Sequence, residues 1–255
     1  MRRVRGAAGI VLAALAWEAL ARSGVFPRAL APDLRAVGGA LWQMALDGTL
    51  AMHIGWTLAR ILVGLAIAAS IGIPLGLLMG RFRPVERFVA PIVNVLMPIP
   101  SLAWVPMLIL WFGLGNTATI ALVVYAASFQ FVYNAWAGVR AVNPIWIRAA
   151  VAMGADERTL FRRVVLPGAL PYVITGFRLA FARSWIAVVG GEMIAASQWG
   201  LGWVIFDAKE FLNADVMMAA LLVIGLLGLA FERFAFQGIE RRTVARWGMV
   251  RTAAA

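Results

Sequence analysis

Long apolar runs separated by short basic segments set the pattern of this chain. The runs cover Gly6–Ala21, Ile54–Met79, residues 88–112, Thr117–Val139, Tyr172–Ala196 and Val216–Phe234. Each approaches or exceeds the ~20 residues a helix needs to cross the hydrocarbon of a bilayer. The first run follows Arg2, Arg3 and Arg5 and resembles a signal peptide in its basic start. Glu18 inside it argues against cleavage, so it is read as a retained first helix with a cytoplasmic N-terminus. Between the first and second runs, residues 22–52 are mixed in polarity. Leu34, Val37, Leu41, Met44 and Ala45 recur there at helical spacing, which predicts an amphipathic helix at the outer surface.

The third run carries Pro91, Pro98, Pro100 and Pro106. Each proline lacks a backbone donor and disfavours helix just before it, so one straight helix is excluded. The spacing predicts an entering segment to about Met97, a break at Pro98-Ile-Pro100, and a shorter helix through Trp111 closed by Gly113-Leu-Gly115-Asn116. Broken helices at membrane depth are tolerated where protein or a water-filled cavity satisfies the freed backbone groups. Pro98 and Pro100 are therefore candidates for a translocation pathway, the alternative being a kink packed against its neighbours.

The longest polar stretch, 140–171, has internal order. It reads as two short helices joined near Gly154-Ala155, with Asp156 capping the second and Leu166-Pro167 as a stop. Ala150 and Gly154, four residues apart, predict a smooth strip that another protein surface approaches closely. The arginines of this stretch and of 81–87 place both in the cytoplasm. On six spans with both termini inside, sixteen basic residues lie inside and four (Arg22, Arg28, Arg35 and Lys209) outside, as the positive-inside rule requires.

Composition agrees with a membrane protein: 63% of residues are hydrophobic and 14% charged, against about half and a quarter in soluble domains. The formal charge of +11 is carried by loop arginines and follows topology, so no nucleic-acid partner is expected. With no cysteine and one histidine, His53, thiolate chemistry is excluded and neither metal nor cofactor is expected. His53 itself reads as an interfacial residue at the start of a span. No phosphate loop or other catalytic signature is present, so the chain is expected to be no enzyme and not to bind ATP in the phosphate-loop manner. Two charges stand inside spans. Arg183 lies ~16 Å into the fifth, near mid-membrane, where an unpaired arginine costs about 2.5–3.5 kcal/mol and needs a partner or a water-filled cavity. Glu192 lies ~13 Å further along the same helix, too far for direct pairing. Both are pathway candidates, with structural pairing as the alternative. Arg178 reads as snorkelling toward the interface.

The segment Arg148-Ala149-Ala150-x3-Gly154-x9-Val164-Val-Leu166-Pro167 resembles the E-A-A-x3-G-x9-I-x-L-P loop of binding-protein-dependent ABC importer permeases, with Arg148 in place of the glutamate and Val164 in place of isoleucine. The likeness extends over roughly 49–235 through Leu58-Ala-Arg60, Gly72-Ile-Pro74-Leu-Gly76, Trp111-Phe-Gly113, Gly176-Phe-Arg178, Glu192 and Gly200-Leu-Gly202, and is similar to the nitrate/sulfonate/taurine group. The resemblance implies an all-α polytopic membrane helix bundle of about six transmembrane helices with the MetI-like permease fold. The chain then divides into an N-terminal helix with an outer amphipathic segment (1–48), the permease domain (49–240), and a basic cytoplasmic tail (241–255). Implied partners are two cytoplasmic ABC ATPase subunits, an extracytoplasmic substrate-binding protein, a second permease copy and the lipid membrane. Arg148, Ala149, Ala150, Gly154, Ala155, Asp156, Leu166 and Pro167 would form the ATPase-coupling loop. The implied function is import of a small anion of sulfonate, taurine or nitrate type. Aromatic or pyrimidine solutes, or a stand-alone secondary transporter, are the alternatives.

Overall fold

The computed structural model describes residues 2–27, 29–196 and 198–236. Arg28 and the basic tail expected over 241–255 lie outside the described residues. Among them there are eleven α-helices and no strand. In chain order they are α1 (Arg2–Arg22), α2 (Leu34–Leu46), α3 (Thr49–Arg81), α4 (Arg83–Leu96), α5 (Val105–Phe112), α6 (Asn116–Arg140), α7 (Pro144–Ala152), α8 (Glu157–Leu160), α9 (Leu166–Ala195), α10 (Leu201–Glu210) and α11 (Ala214–Ala230).

Four helical stretches are long and apolar enough to cross a membrane: Thr49–Arg81, Asn116–Arg140, Glu157–Ala195 and Ala214–Phe234. A fifth passage is the pair Arg83–Leu96 and Ser101–Phe112, bent by 87°. Adding α1, whose 21 residues span ~31 Å, gives the expected count of about six by length. Helix α1 joins the rest through its last turns, where Trp17 Nε1 donates to the Pro32 carbonyl at 3.0 Å and the Leu34 amide donates to Glu18 at 2.8 Å.

Helix α2 forms as predicted, started by Asp33, whose side chain accepts the Ala36 amide at 2.8 Å. Its buried residues are Val37, Ala40 and Met44, packed on α10 and α11. Leu34 and Ala45 of the expected stripe face away. The connection after α9 is likewise more ordered than expected, since α10 buries Leu201, Val204, Ile205 and Ala208.

Two expected boundaries differ. The basic loop 81–87 shrinks to one non-helical residue, Phe82, because Pro84 in the first turn of α4 starts a new helix at once. Leu166-Pro167 does not stop a helix either. A π turn, Phe161–Val165, precedes α9, and the Leu166 amide donates five residues back to the Phe161 carbonyl. The widened turn absorbs the ring of Pro167, which in a regular helix would press on the carbonyl four residues earlier.

The core is the packing of α3, α6 and α9. Bilayers supply no hydrophobic drive between helices, so contact depends on close backbone approach at small residues. Helix α3 carries Gly64, Ala68, Gly72, Gly76 and Gly80, one every fourth residue and hence on one face. That face meets α6. A Cβ at Gly72 would lie 2.8 Å from Phe131 Cβ, and one at Gly76 2.8 Å from Ala135 Cβ. On the other side of α6, a Cβ at Gly176 of α9 would lie 2.9 Å from Asn134 Cβ. Ile61, Leu65, Val123, Phe131, Ala180 and Val188 fill the space around these contacts.

Overpacking a filled core costs about 1–3 kcal/mol, and at Gly76 the obstacle includes backbone. Gly76→Leu is expected to lower the thermal transition of the detergent-purified protein by several degrees. Gly55→Ala, with nothing within 4 Å of the new Cβ, should leave it unchanged. Equal transitions in both variants would show that the α3–α6 seam is not close-packed.

Candidate functional site

The break in the third passage falls where the prolines require it. Helix α4 ends at Leu96, and a short 3-10 turn, Ser101–Trp104, leads into α5. Pro100 has no amide to give the Leu96 carbonyl, which instead accepts the Tyr125 hydroxyl at 2.7 Å and the Ile99 amide at 3.1 Å. A side chain of α6 thus stabilises the broken backbone. Beside the break lies a cavity of about 490 Å³, lined among others by Pro98, Pro100, Tyr125, Gln130 and Arg183.

Three of the four pathway residues expected from sequence therefore meet at one place. Arg183 is exposed and makes no hydrogen bond or ion pair with another described residue. Its cost at mid-membrane is met by the open cavity and not by a carboxylate. The long stem of the side chain reaches polar space while its backbone stays in α9.

Glu192 is not part of this cavity. It is fully buried and pairs with Arg60 of α3, Nη1 to Oε1 at 2.7 Å, with Arg60 itself only 4% exposed. The carboxylate also accepts the Thr57 hydroxyl at 2.9 Å and the Gly202 amide at 2.9 Å. Arg60 Nε donates to Asn116 Oδ1 at 2.8 Å, and its Nη1 donates to the Trp199 carbonyl. The Leu201 amide donates to Thr57 Oγ at 2.9 Å. His53, expected at an interface, is buried, and its Nδ1 accepts the Gly200 amide at 3.1 Å. One ion pair thus fastens α3, the start of α6, the end of α9 and the turn into α10. Gly200 is required there: its φ is +144°, and a Cβ would lie 2.6 Å from Arg60 Nη1. Arg60 belongs to the Leu58-Ala-Arg60 motif, and nothing in its own helix assigns it a role. Its depth, ~17 Å into α3, demands a partner for the charge just as it does for Arg183.

The segment 140–171 holds α7, a turn and α8. Asn143 accepts the Ile145 amide at 2.9 Å to start α7. The helix ends in a glycine-terminated cap in which the Ala155 amide donates to the Ala150 carbonyl at 3.0 Å and the Gly154 amide to the Val151 carbonyl at 3.0 Å. Gly154 has φ +80°, so it terminates α7 and does not extend a strip with Ala150. The expected smooth strip is absent, since Ala150 is buried and Gly154 lies past the helix end. Asp156 caps α8 as predicted, accepting the Thr159 amide at 3.1 Å, and the Thr159 bonds hold its carboxyl below the ordinary carboxylate range. Arg148 and Ala149 are exposed and Leu166 and Pro167 start α9. Ile145, Trp146, Val151 and Met153 expose apolar side chains, Met153 at 81%. Exposed apolar side chains grouped on one short segment make it a candidate contact surface.

The model of the family described as binding-protein-dependent transport system inner membrane component matches residues 72–243. The taurine transport system permease protein TauC of Escherichia coli (strain K12) is 36% identical over 208 residues, covering 82% of this chain and 75% of that protein. A putative aliphatic sulfonates transport permease protein, SsuC, of the same strain is 34% identical over 212 residues, covering 83% and 80%. The bicarbonate transport system permease protein CmpB of Synechococcus elongatus is 30% identical over 235 residues, covering 89% and 84%. Among solved structures, an inward-facing MetNI methionine ABC transporter chain aligns with a TM-score of 0.69 at 25% identity, over 78% of this chain and 98% of that one.

Removing one member of a buried ion pair costs about 3–5 kcal/mol in soluble proteins, whereas replacing both by apolar residues is often neutral. Arg60→Gln and Glu192→Gln are each expected to lower the thermal transition in detergent sharply. Arg60→Met combined with Glu192→Met should recover part of the loss. Singles that melt like the parent would show that the network contributes no net stability.

Proposed function

Because the chain belongs to the family of binding-protein-dependent transport system inner membrane components, we propose that it carries a small anion of sulfonate or taurine type through the cavity at Pro98–Pro100. It is the membrane-spanning permease subunit of an ABC importer and not an enzyme. It resides in the inner membrane and works with an ATPase and a substrate-binding protein.

The observation that carries the anion reading is Arg183, a guanidinium open to the cavity with no carboxylate beside it. An unneutralised cation in a low-dielectric recess attracts anions strongly. Relatives named for taurine, sulfonates and bicarbonate transport are consistent with this charge. Gln130 and Ser101 on the same wall add neutral polar groups suited to sulfonate oxygens.

On this proposal two copies of the chain assemble with two ATPase subunits, and Arg148, Ala149, Ala150, Gly154, Ala155, Asp156, Leu166 and Pro167 belong to the surface or hinge of the ATPase-coupling loop. The exposed Val151 and Met153 support that reading. Both termini are cytoplasmic, supported by the excess of arginine on that side. The divisions 1–48, 49–240 and 241–255 serve as outer anchor, permease domain and inner tail.

Arg183→Gln is the direct test. Because Arg183 has no described partner, the variant should melt like the parent and still assemble with the ATPase, yet lose most taurine or alkanesulfonate uptake in proteoliposomes. Unchanged uptake would sink the anion reading. The purified chain by itself should hydrolyse no ATP, and turnover by the contaminant-free chain would contradict its placement as a permease.

A further inference from the structure

At the cytoplasmic end of α3, Arg81 is the helix's last residue and its side chain is 22% exposed. Its Nη2 donates to Glu157 Oε2 at 2.8 Å. The guanidinium also lies 5.1 Å from the Phe82 ring centroid and 5.0 Å from that of Phe161. Glu157 opens α8, and Phe161 opens the π turn that joins α8 to α9. Arg81 therefore bonds to the first residue of α8 and touches the ring just past its end, from a different helix. Among the described residues this is the one ion pair joining the 144–165 segment to any other element.

The pair is poorly placed to stabilise the fold, because Glu157 is 89% exposed and exposed ion pairs are screened by water and salt. Its geometry is more specific than its energy. A planar guanidinium held by a carboxylate and two aromatic faces has few alternative positions. Helix α3 then runs from Arg81 to Thr49, closely packed on α6 through its small residues. Arg60, which holds Glu192, lies on it 21 positions from Arg81, ~31 Å away. A displacement of α8 is thus delivered to a single helix, interrupted in its backbone bonding only at Pro74 and held against α6, whose far half carries the buried network.

We infer that Arg81 is the positioning residue through which movement of the cytoplasmic segment is passed to α3, and along it toward the Arg60–Glu192 network. The inference rests on the reading of 140–171 as the ATPase-coupling loop. Arg81 touches no cargo; it keeps α3 in step with α8. The π turn beside it suits this role, because an irregular turn bends more readily than a regular helix.

The chain has no cysteine, so Ile186→Cys, at an exposed residue of the cavity wall, provides a single reporter. Its labelling by a membrane-impermeant maleimide is followed in the assembled complex with and without ATP and magnesium. ATP should change the labelling rate in the otherwise unaltered complex. Arg81→Ala and Glu157→Arg should each shrink that change roughly five-fold or more, the scale of an ordinary coupling free energy. Melting temperature and ATPase co-purification should stay unaltered. The exchanged pair, Arg81→Glu with Glu157→Arg, should restore the response. An undiminished ATP response in Arg81→Ala overturns the inference. So does a loss that comes with lowered melting or lost ATPase binding, since Arg81 would then be a folding residue. Met153→Arg tests the docking reading separately. If that variant still binds the ATPase and responds to ATP, the loop has been misplaced, and the present inference falls with it.

Discussion

The ion pair between Arg60 and Glu192 is the constraint on which one half of this bundle depends. Two charges out of contact with water are sustained only if each is neutralised and its remaining hydrogen-bonding capacity is met. Here the requirement recruits Thr57, Asn116, the Trp199 carbonyl and the Gly202 amide, drawn from four segments. Because none of those groups can leave without stranding a charge, the ends of α3 and α9 and the turn into α10 are held as one piece. The glycine at 200 follows from the same demand, since any side chain there would occupy the space of the guanidinium, while a Cβ at 202 would meet the Val189 carbonyl of α9.

Toward the Arg81 end of α3 the bundle is held by a different force. From Gly64 to Gly80 no described charge is buried along the α3–α6 seam, and contact comes from small residues at every fourth position that let the backbones approach. Such packing is stiff against bending and separation. The broken passage α4–α5 is attached otherwise, by Tyr125 on a freed carbonyl and by Arg140 paired with Glu86 at 2.8 Å. The cavity lies along the boundary between the stiff trio and this less tightly joined passage. A solute route in a permease needs such a boundary, because alternating access requires one part to move against another.

Three arginines illustrate how position decides the role of a single residue type. Arg60 is enclosed and neutralised, and so belongs to the architecture. Arg178 pairs with Glu232 between α9 and the end of the last passage, more than the snorkelling read for it. Arg183, one turn and a residue beyond Arg178 on the same helix, faces the cavity and keeps its charge available. Helical geometry separates their directions by roughly 140°, enough to send one toward α11 and the other toward the break.

The sequence by itself determined the membrane class, the passages, the break at Pro98-Ile-Pro100, the capping role of Asp156 and the resemblance of 148–167 to a permease loop. These are local properties: apolar run length, missing proline amides and residue spacing act over a few turns of chain. Tertiary structure alone decided which charge answers which. Glu192 could not be assigned a partner from its own helix, and the one it has lies 132 residues away on α3. The same limit hid the Arg81–Glu157 contact, the burial of His53 and the π turn that carries the helix past Pro167. Spacing along a chain fixes which way a side chain leaves its own helix. What it meets there depends on how the other helices pack, which only the folded bundle settles.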